Sequence, residues 1–275
     1  MPSPGRQICS ALAIVGAFTT LAAVAQVAPK WEVGAIRRNV SGSGSASLNT
    51  RGEKLVGVNI TAEMLIRSAY PFESYRIFGA PNWWSADRYD ISGIATAPAT
   101  PEQVRVMTQQ LLAERFKLAA HVETRELNTY RLVLARVDGR LGPSLTRFAD
   151  DCEALRASGK LASMPAPRTV EDLAVVRPCM SSQGQGMYAA GGRPLADLAR
   201  LLAGELRGPV IDRTGLTGNY NIALRWNPDP TRTGVDAPFP SLLTAVQEQL
   251  GLKLESGRDP IEVLVIDRLE RPAVE

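Results

Sequence analysis

Few side chains in this chain suit nucleophilic or acid–base catalysis. His121 is the only histidine, and the cysteines are Cys9, Cys152 and Cys179. A single histidine between apolar neighbours in a strand-like stretch is more often structural than catalytic, because a general base needs a nucleophile or an acid as its partner. No serine-hydrolase, zinc-protease, phosphate-loop or dinucleotide-binding motif occurs. The 28 acidic residues keep one enzymatic alternative open, hydrolysis of a carbohydrate by a carboxylate pair.

The N-terminal residues 1–25 have the features of a signal peptide. An apolar run ends in Ala23-Val24-Ala25, the small-x-small pattern of a cleavage site, so we expect the mature chain to begin at Gln26. A membrane anchor is the competing interpretation, but no basic flank follows the run. The sequence therefore predicts export to the periplasm or beyond, with no membrane span after cleavage.

The expected export of the chain determines how its cysteines are interpreted. Cys9 leaves with the signal peptide, and the pair that remains, Cys152 and Cys179, predicts a disulfide in an oxidising compartment. The bond would close a loop of about 27 residues, which is worth about 3 kcal/mol in the chain-entropy treatment. Two thiols and one distant histidine are too few for a metal site, and no cofactor is expected.

Charge patterning argues against a nucleic-acid partner. The formal net charge is only +3, and basic residues alternate with acidic ones rather than gathering in one stretch. Asp150, Asp151 and Glu153 form an acidic cluster. Because the spacing of an EF-hand loop is absent, we interpret this cluster as a solvated loop rather than a calcium site.

The order of elements occurs twice along the chain, which predicts a tandem duplication. Equivalent residues are separated by nearly constant offsets: Leu55 and Met187 by 132, Tyr89 and Tyr220 by 131, Lys117 and Lys253 by 136, Arg136 and Arg268 by 132. The predicted fold class is α+β, with two similar modules that each pack two helices on a small mixed sheet. Residues 26–137 form the first module, 138–179 a linker stapled by the disulfide, and 180–275 the second module.

Local signals place the elements. Strands are expected at 31–39 and 55–60, with a flexible connector at 41–47. Thr100, Pro101 and Gln103 form a capping box that opens a helix to Phe116. Residues 117–127 and 129–137 are predicted as two strands that return on each other, and 208–226 as a hairpin. The other predicted helices begin at Thr61, Pro194 and Ser241, the last with Leu243, Val246 and Leu250 facing the core.

Trp83 and Trp84 lie at a predicted bend between two strands in residues 76–94. Adjacent residues of a strand point to opposite faces, so one indole would pack inward. The other would anchor an interface or cover a sheet edge. This pair is the predicted interaction surface.

Five motifs in order resemble a large paralogous family of exported, uncharacterised proteins from soil-associated bacteria. They are WEVGAIRRN, GAPNWWSADRYDI, LLAERFKLAAHVETRELNTYRLVLAR, GPVIDRTGLTGNYNIALRW and EQLGLKLESGRDPIEVLVIDRLERP. The resemblance covers nearly the whole mature chain, and it implies no catalytic residue, since no activity is established for the family. Each module is also similar to the short N-terminal domain of secretins and TonB-dependent receptors, which implies protein contacts in the cell envelope.

These observations favour a non-enzymatic, extracytoplasmic binding or interaction module. Its expected partner is an envelope or extracellular protein or polymer. Two alternatives remain open. One is the secreted carbohydrate hydrolase, and the other is a sensor-like envelope domain.

Overall fold

The computed structural model describes residues 30–51, 53–161, 174–229, 231 and 239–273, so the predicted signal peptide and its cleavage site lie outside the described residues. The first half contains β1 (Trp31–Arg38), β2 (Ser47–Arg51), β3 (Lys54–Ile60), α1 (Ala62–Ala69), β4 (Ile77–Phe78), β5 (Tyr89–Ala95), α2 (Pro101–Arg115) and β6 (Ala119–Leu134). The second half contains β7 (Leu145–Arg147), α3 (Cys152–Ala157), β8 (Ser181–Gly184), β9 (Met187–Arg193), α4 (Leu195–Leu206), β10 (Val210–Asp212), β11 (Tyr220–Arg225), α5 (Leu242–Leu250) and β12 (Leu252–Arg268). The predicted α+β fold class is confirmed.

Three four-stranded sheets organise the described residues. The N-terminal sheet has the order β1-β5-β3-β2, and the C-terminal sheet has the order β7-β11-β9-β8. The third, the central sheet, has the order β10-β6-β12-β4. The N-terminal and C-terminal sheets are antiparallel throughout, and each belongs to one half of the chain.

The central sheet joins the halves because each half places one short strand beside the long strand of the other. β4 of the first half pairs in parallel with β12, and β10 of the second half pairs in parallel with β6. The β6–β12 ladder is antiparallel and runs from Leu134 opposite Leu252 to Ala120 opposite Ile266. One end of this ladder enters the core of the first half, and the other end enters the core of the second half.

Two predictions about strand connections are wrong. Residues 117–137 do not fold back, because β6 is one continuous strand whose exposed polar middle interrupts the apolar pattern without interrupting its pairing with β12. Residues 208–226 are not a hairpin either. β10 pairs with β6 in the central sheet, whereas β11 pairs with β7 and β9 in the C-terminal sheet.

The two halves share local irregularities as well as strand order. β3 and β9 both bulge where they pair with β5 and β11, and Asn59 and Gly192 in these bulges have φ angles of 55° and 66°. Ile91 and Ile222 are both buried, each in the core of its own half. The pairing register differs from the predicted offset by one residue, since Leu55 lies opposite Gly93 while Tyr188, not Met187, lies opposite Leu224. The duplication itself stays a prediction.

Helix ends follow the sequence signals. Thr100 and Gln103 form both hydrogen bonds of the predicted capping box, and Thr61 caps α1 by accepting from the Met64 amide. Gly251 ends α5 with a φ of 69°, a conformation that costs glycine little. One predicted core position is wrong, because Leu243 is exposed, and α5 instead buries Ala245, Val246 and Leu250.

The predicted linker, residues 138–179, contributes elements to the second half. It contains β7, an edge strand of the C-terminal sheet, and α3. The predicted disulfide between Cys152 and Cys179 is present, with Cα atoms 5.4 Å apart. It lies against the bulge of β9, where a Cβ added to Gly192 would stand 3.0 Å from Cys152 Sγ and 2.7 Å from the Phe148 ring.

This close approach predicts that Gly192→Ala destabilises the protein more than Gly215→Ala. Both glycines have positive φ angles, 66° and 70°, so both substitutions carry the backbone cost of about 1–2 kcal/mol. Only Gly192 has neighbours that a methyl group would strike, since the space around Gly215 is open. Urea unfolding of both variants measures the difference, and equal losses of unfolding free energy would show that the disulfide segment does not pack on this bulge.

Candidate functional site

Trp83 and Trp84 lie on a 3-10 turn, Asn82–Ser85, and not on a strand. The alternation of faces that was expected for them therefore does not apply, and both indoles are half-buried against the first core. The Arg271 guanidinium lies 5.1 Å from the centroid of the Trp83 ring and donates to Asp87 at 2.7 Å. This hydrogen bond lowers the pKa of Asp87. The role of the pair as an interaction surface stays a prediction.

His121 lies on the exposed surface of β6 between two carboxylates. Its Nδ1 is 2.9 Å from Asp267 Oδ2, and its Nε2 is 3.5 Å from Glu123 Oε2. The hydrogen bond to Asp267, aided by Glu123, raises the pKa of His121 above its ordinary value of 6.5. Glu123 is also bound by Arg125. These contacts describe a surface ion-pair chain that ties β6 to β12, in agreement with the structural interpretation of this histidine.

The acidic cluster has a local structural role. Asp151 caps α3 by accepting from the Glu153 amide at 2.8 Å. Within the described ranges, no group of three or more histidine, cysteine, aspartate or glutamate side chains is placed to hold a metal ion. No helix among the same residues is long and apolar enough to span a membrane.

A groove of about 610 Å³ lies where the two halves meet. Residues from both halves line it. The first half contributes the segment after α1, the second half contributes α4 and β10, and the floor comes from the middle of β12. The lining residues are Pro71, Glu73, Tyr75, Arg76, Ala196, Ala199, Arg200, Ala203, Pro209, Val210, Ile211, Asp212, Pro260, Ile261 and Glu262. Most of these side chains are small, aliphatic or proline, and the groove also has several charged side chains in its lining.

The backbone of β12 is protected where it borders the groove. β4 pairs with β12 at Leu264 and Val265, beyond the groove floor. The Arg76 guanidinium donates to the Glu262 carbonyl oxygen at 2.7 and 2.9 Å. Pro260, two residues earlier, has no amide hydrogen to offer to an added strand. These features oppose strand addition at this edge and leave side chains as the groove's contact groups.

Two of the groove's carboxylates already have partners in the fold. Glu73 pairs with Arg67, and Asp212 accepts from the amide and the hydroxyl of Thr214 at 2.9 and 2.7 Å. Burial raises the pKa of the Tyr75 phenol, which therefore stays protonated at neutral pH. No motif in the sequence predicted this groove, although one signal was present. Ala196, Ala199 and Ala203 recur at helical spacing and give α4 one smooth face.

The fold and the groove define a two-cored α+β protein with a cleft between its halves. The chain belongs to the family described as "Protein of unknown function (DUF3738)", whose model matches residues 63–269. The match begins in α1 and ends just after β12, so it includes the second core, most of the first core and every residue that lines the groove. Neither the curated proteins nor the solved structures contain a match.

The ion-pair chain of His121 predicts that Asp267→Asn lowers the histidine pKa toward its ordinary value, since the strongest acceptor for the protonated ring is lost. A raised folded pKa means that the pair stabilises the fold below the unfolded pKa, and that this contribution disappears as pH rises through the folded value. NMR titration of the ring measures the shift. Glu126→Gln, five residues along β6, is the control, and an unchanged pKa in Asp267→Asn would contradict the assignment.

Proposed function

We propose that this protein is an exported, non-enzymatic binding module that holds its ligand in the groove between its halves. The groove itself is the observation that carries the proposal. Its walls come from both halves, and all of its lining residues lie within residues 63–269, the range that the family model matches. Its volume of about 610 Å³ falls in the range of small-molecule and short-polymer sites. The ligand is expected to be a segment of an envelope or extracellular protein or polymer.

The disulfide supports the proposed location. Disulfides persist in oxidising compartments and are rare in the cytosol of most organisms. The bond between Cys152 and Cys179 closes a segment of the second half against the C-terminal sheet, so it is part of the folded structure. N-terminal sequencing of the protein from the producing cell checks the location. A chain that begins at Gln26 agrees with export, whereas a chain that begins at Met1 would contradict it.

The groove chemistry favours binding over hydrolysis. A glycosidase of the carboxylate-pair type needs one free acid and one free base or nucleophile across the scissile bond. Glu73 is paired with an arginine, and Asp212 accepts hydrogen bonds from a threonine. Among the carboxylates that line the groove, only the Glu262 side chain has no partner among the described residues. The apolar walls suit contact with a bound chain rather than proton transfer.

The proposal predicts that Ala196→Trp abolishes ligand binding without unfolding the protein. Ala196 is exposed and lines the groove, so an indole at this position occupies the space of the ligand. Ala113→Trp is the matched control, because Ala113 is also exposed on a helix but lies on α2, away from the groove. Backbone NMR spectra of both variants and of the unmodified protein are titrated with two probes, tetra-alanine and chitotetraose.

Saturable shifts at Ala203 and Ile261 that survive Ala113→Trp and disappear in Ala196→Trp would support the groove as the site. Shifts that persist in Ala196→Trp, or that arise only outside the groove, would contradict it. The same samples test the non-enzymatic part of the proposal. Mass spectrometry after a day should recover both probes intact, and cleaved chitotetraose would favour the hydrolase instead.

A further inference from the structure

A second, smaller pocket of about 330 Å³ lies on the other side of α4, beside the ends of β8 and β9. Its lining is mostly polar, in contrast to that of the groove: Ser181, Gln183, Tyr188, Arg193, Asp197, Arg200, Leu201, Gly204 and Glu205. Arg200 alone also lines the groove. The apolar face of α4 packs in the second core. Polar side chains of the same helix therefore remain to line the pocket, which accounts for part of its polarity.

One carboxylate in the pocket is shared by two guanidinium groups. Asp197 Oδ1 accepts from Arg200 Nη1 at 3.0 Å, and its Oδ2 lies 3.4 Å from Arg193 Nε. Two positive charges and one negative charge leave a net positive charge at this end of the pocket. Asp197 is mostly shielded, whereas both arginine side chains reach solvent, with exposed fractions of 41% for Arg193 and 70% for Arg200.

Arg193 lacks a full set of acceptors. Its Nε has no access to solvent and, despite the proximity of Asp197, donates no hydrogen bond within the part of the chain that the structure describes. Buried donors without a partner are rare in folded proteins, so this nitrogen shows that Asp197 does not fully satisfy the Arg193 guanidinium. The Arg193 side chain as a whole is 41% exposed and lines the pocket, so a ligand in the pocket can reach it.

Neutral hydrogen-bonding groups complete the pocket. Ser181 and Gln183 lie on β8, and the Tyr188 side chain enters from β9. Burial, aided by the negative charge of Asp197, raises the pKa of Tyr188. The Tyr188 hydroxyl is protonated at neutral pH, as an ordinary phenol is, and can donate. At the opposite end, Glu205 is exposed and places a negative charge two helical turns from Asp197.

We propose that this pocket binds a carboxylate group carried by a small molecule rich in hydroxyl or amide groups, with Arg193 and Arg200 as the residues that hold the carboxylate. A planar guanidinium matches a carboxylate through two parallel hydrogen bonds, which an ammonium cannot reproduce. The serine, glutamine and tyrosine side chains then bind the neutral part of the ligand. Glu205 repels a second negative charge, so a monoanion fits and a phosphate dianion does not.

Two sources supply this chemistry, an acidic sugar and an acylated amino acid, and the test separates them. Glucuronate and N-acetylalanine are titrated into the full chain while the NMR signals of the arginine Nε–H groups and of the Ser181 and Gln183 amides are followed. Glucose is the control that lacks a carboxylate. Saturable shifts with either carboxylate and none with glucose are expected, and the tighter probe identifies the source.

Arg193→Lys keeps the charge and removes the planar fork, so it should weaken carboxylate binding about tenfold or more. Arg105→Lys on α2 makes the same exchange on a distant helix and should leave binding unchanged. Thermal unfolding of both variants checks that they fold. Absence of a saturable shift with both carboxylates, or equal affinity in Arg193→Lys and the unmodified protein, overturns the proposal. Because Arg193 lines this pocket and not the groove, whereas Ala196 lines the groove and not this pocket, Arg193→Lys and Ala196→Trp test the two sites separately.

Discussion

The antiparallel ladder between β6 and β12 is the interaction on which the rest of the structure depends. It runs without a turn from the core of the second half to the core of the first. Each long strand pairs on its outer edge with a short strand from the other half: β6 with β10, and β12 with β4. An ion pair at the surface fixes it near its middle, where the shielded Asp259 carboxylate accepts from the partly exposed Arg131 and from the Thr129 hydroxyl. Because Leu264 and Ile266 of β12 lie in the first core and Leu132 of β6 lies in the second, neither core is complete without a strand from the other half.

The groove follows from this exchange of strands. The groove exists because the ladder continues past the end of one core before the next begins, which leaves the middle of β12 uncovered between α4 and the segment after α1. Pro260 and Arg76 protect the exposed backbone there, so the uncovered stretch presents side chains rather than an open strand edge. The smaller pocket lies on the opposite side of α4, which makes this helix the common wall of an apolar and a polar site.

Sequence signals predicted the parts of the fold that depend on local chemistry. The capping box at Thr100 and the disulfide are examples, because each depends on residue types at short spacing or on pairing within a compartment. The exchange of β4 and β10 could not be predicted, since strands of two and three residues show no periodicity and their partners lie far along the chain. Leu243 was misplaced because periodicity does not reveal which face of a helix meets the core. The tryptophan pair was misplaced because its segment is a 3-10 turn, to which the alternation of a strand does not apply. The polar pocket left no motif, since its residues come from two strands and a helix.

The central claim is that the shared ladder makes the two halves one cooperative unit, and the tryptophans report on it directly. Trp31 is buried in the first core and Trp226 in the second. Urea unfolding of the protein labelled with 5-fluorotryptophan, followed by fluorine NMR, resolves the loss of each native signal. The account predicts that the Trp31 and Trp226 signals disappear with the same midpoint and the same dependence on urea concentration. A range of urea concentrations in which one signal is native and the other is unfolded would contradict it.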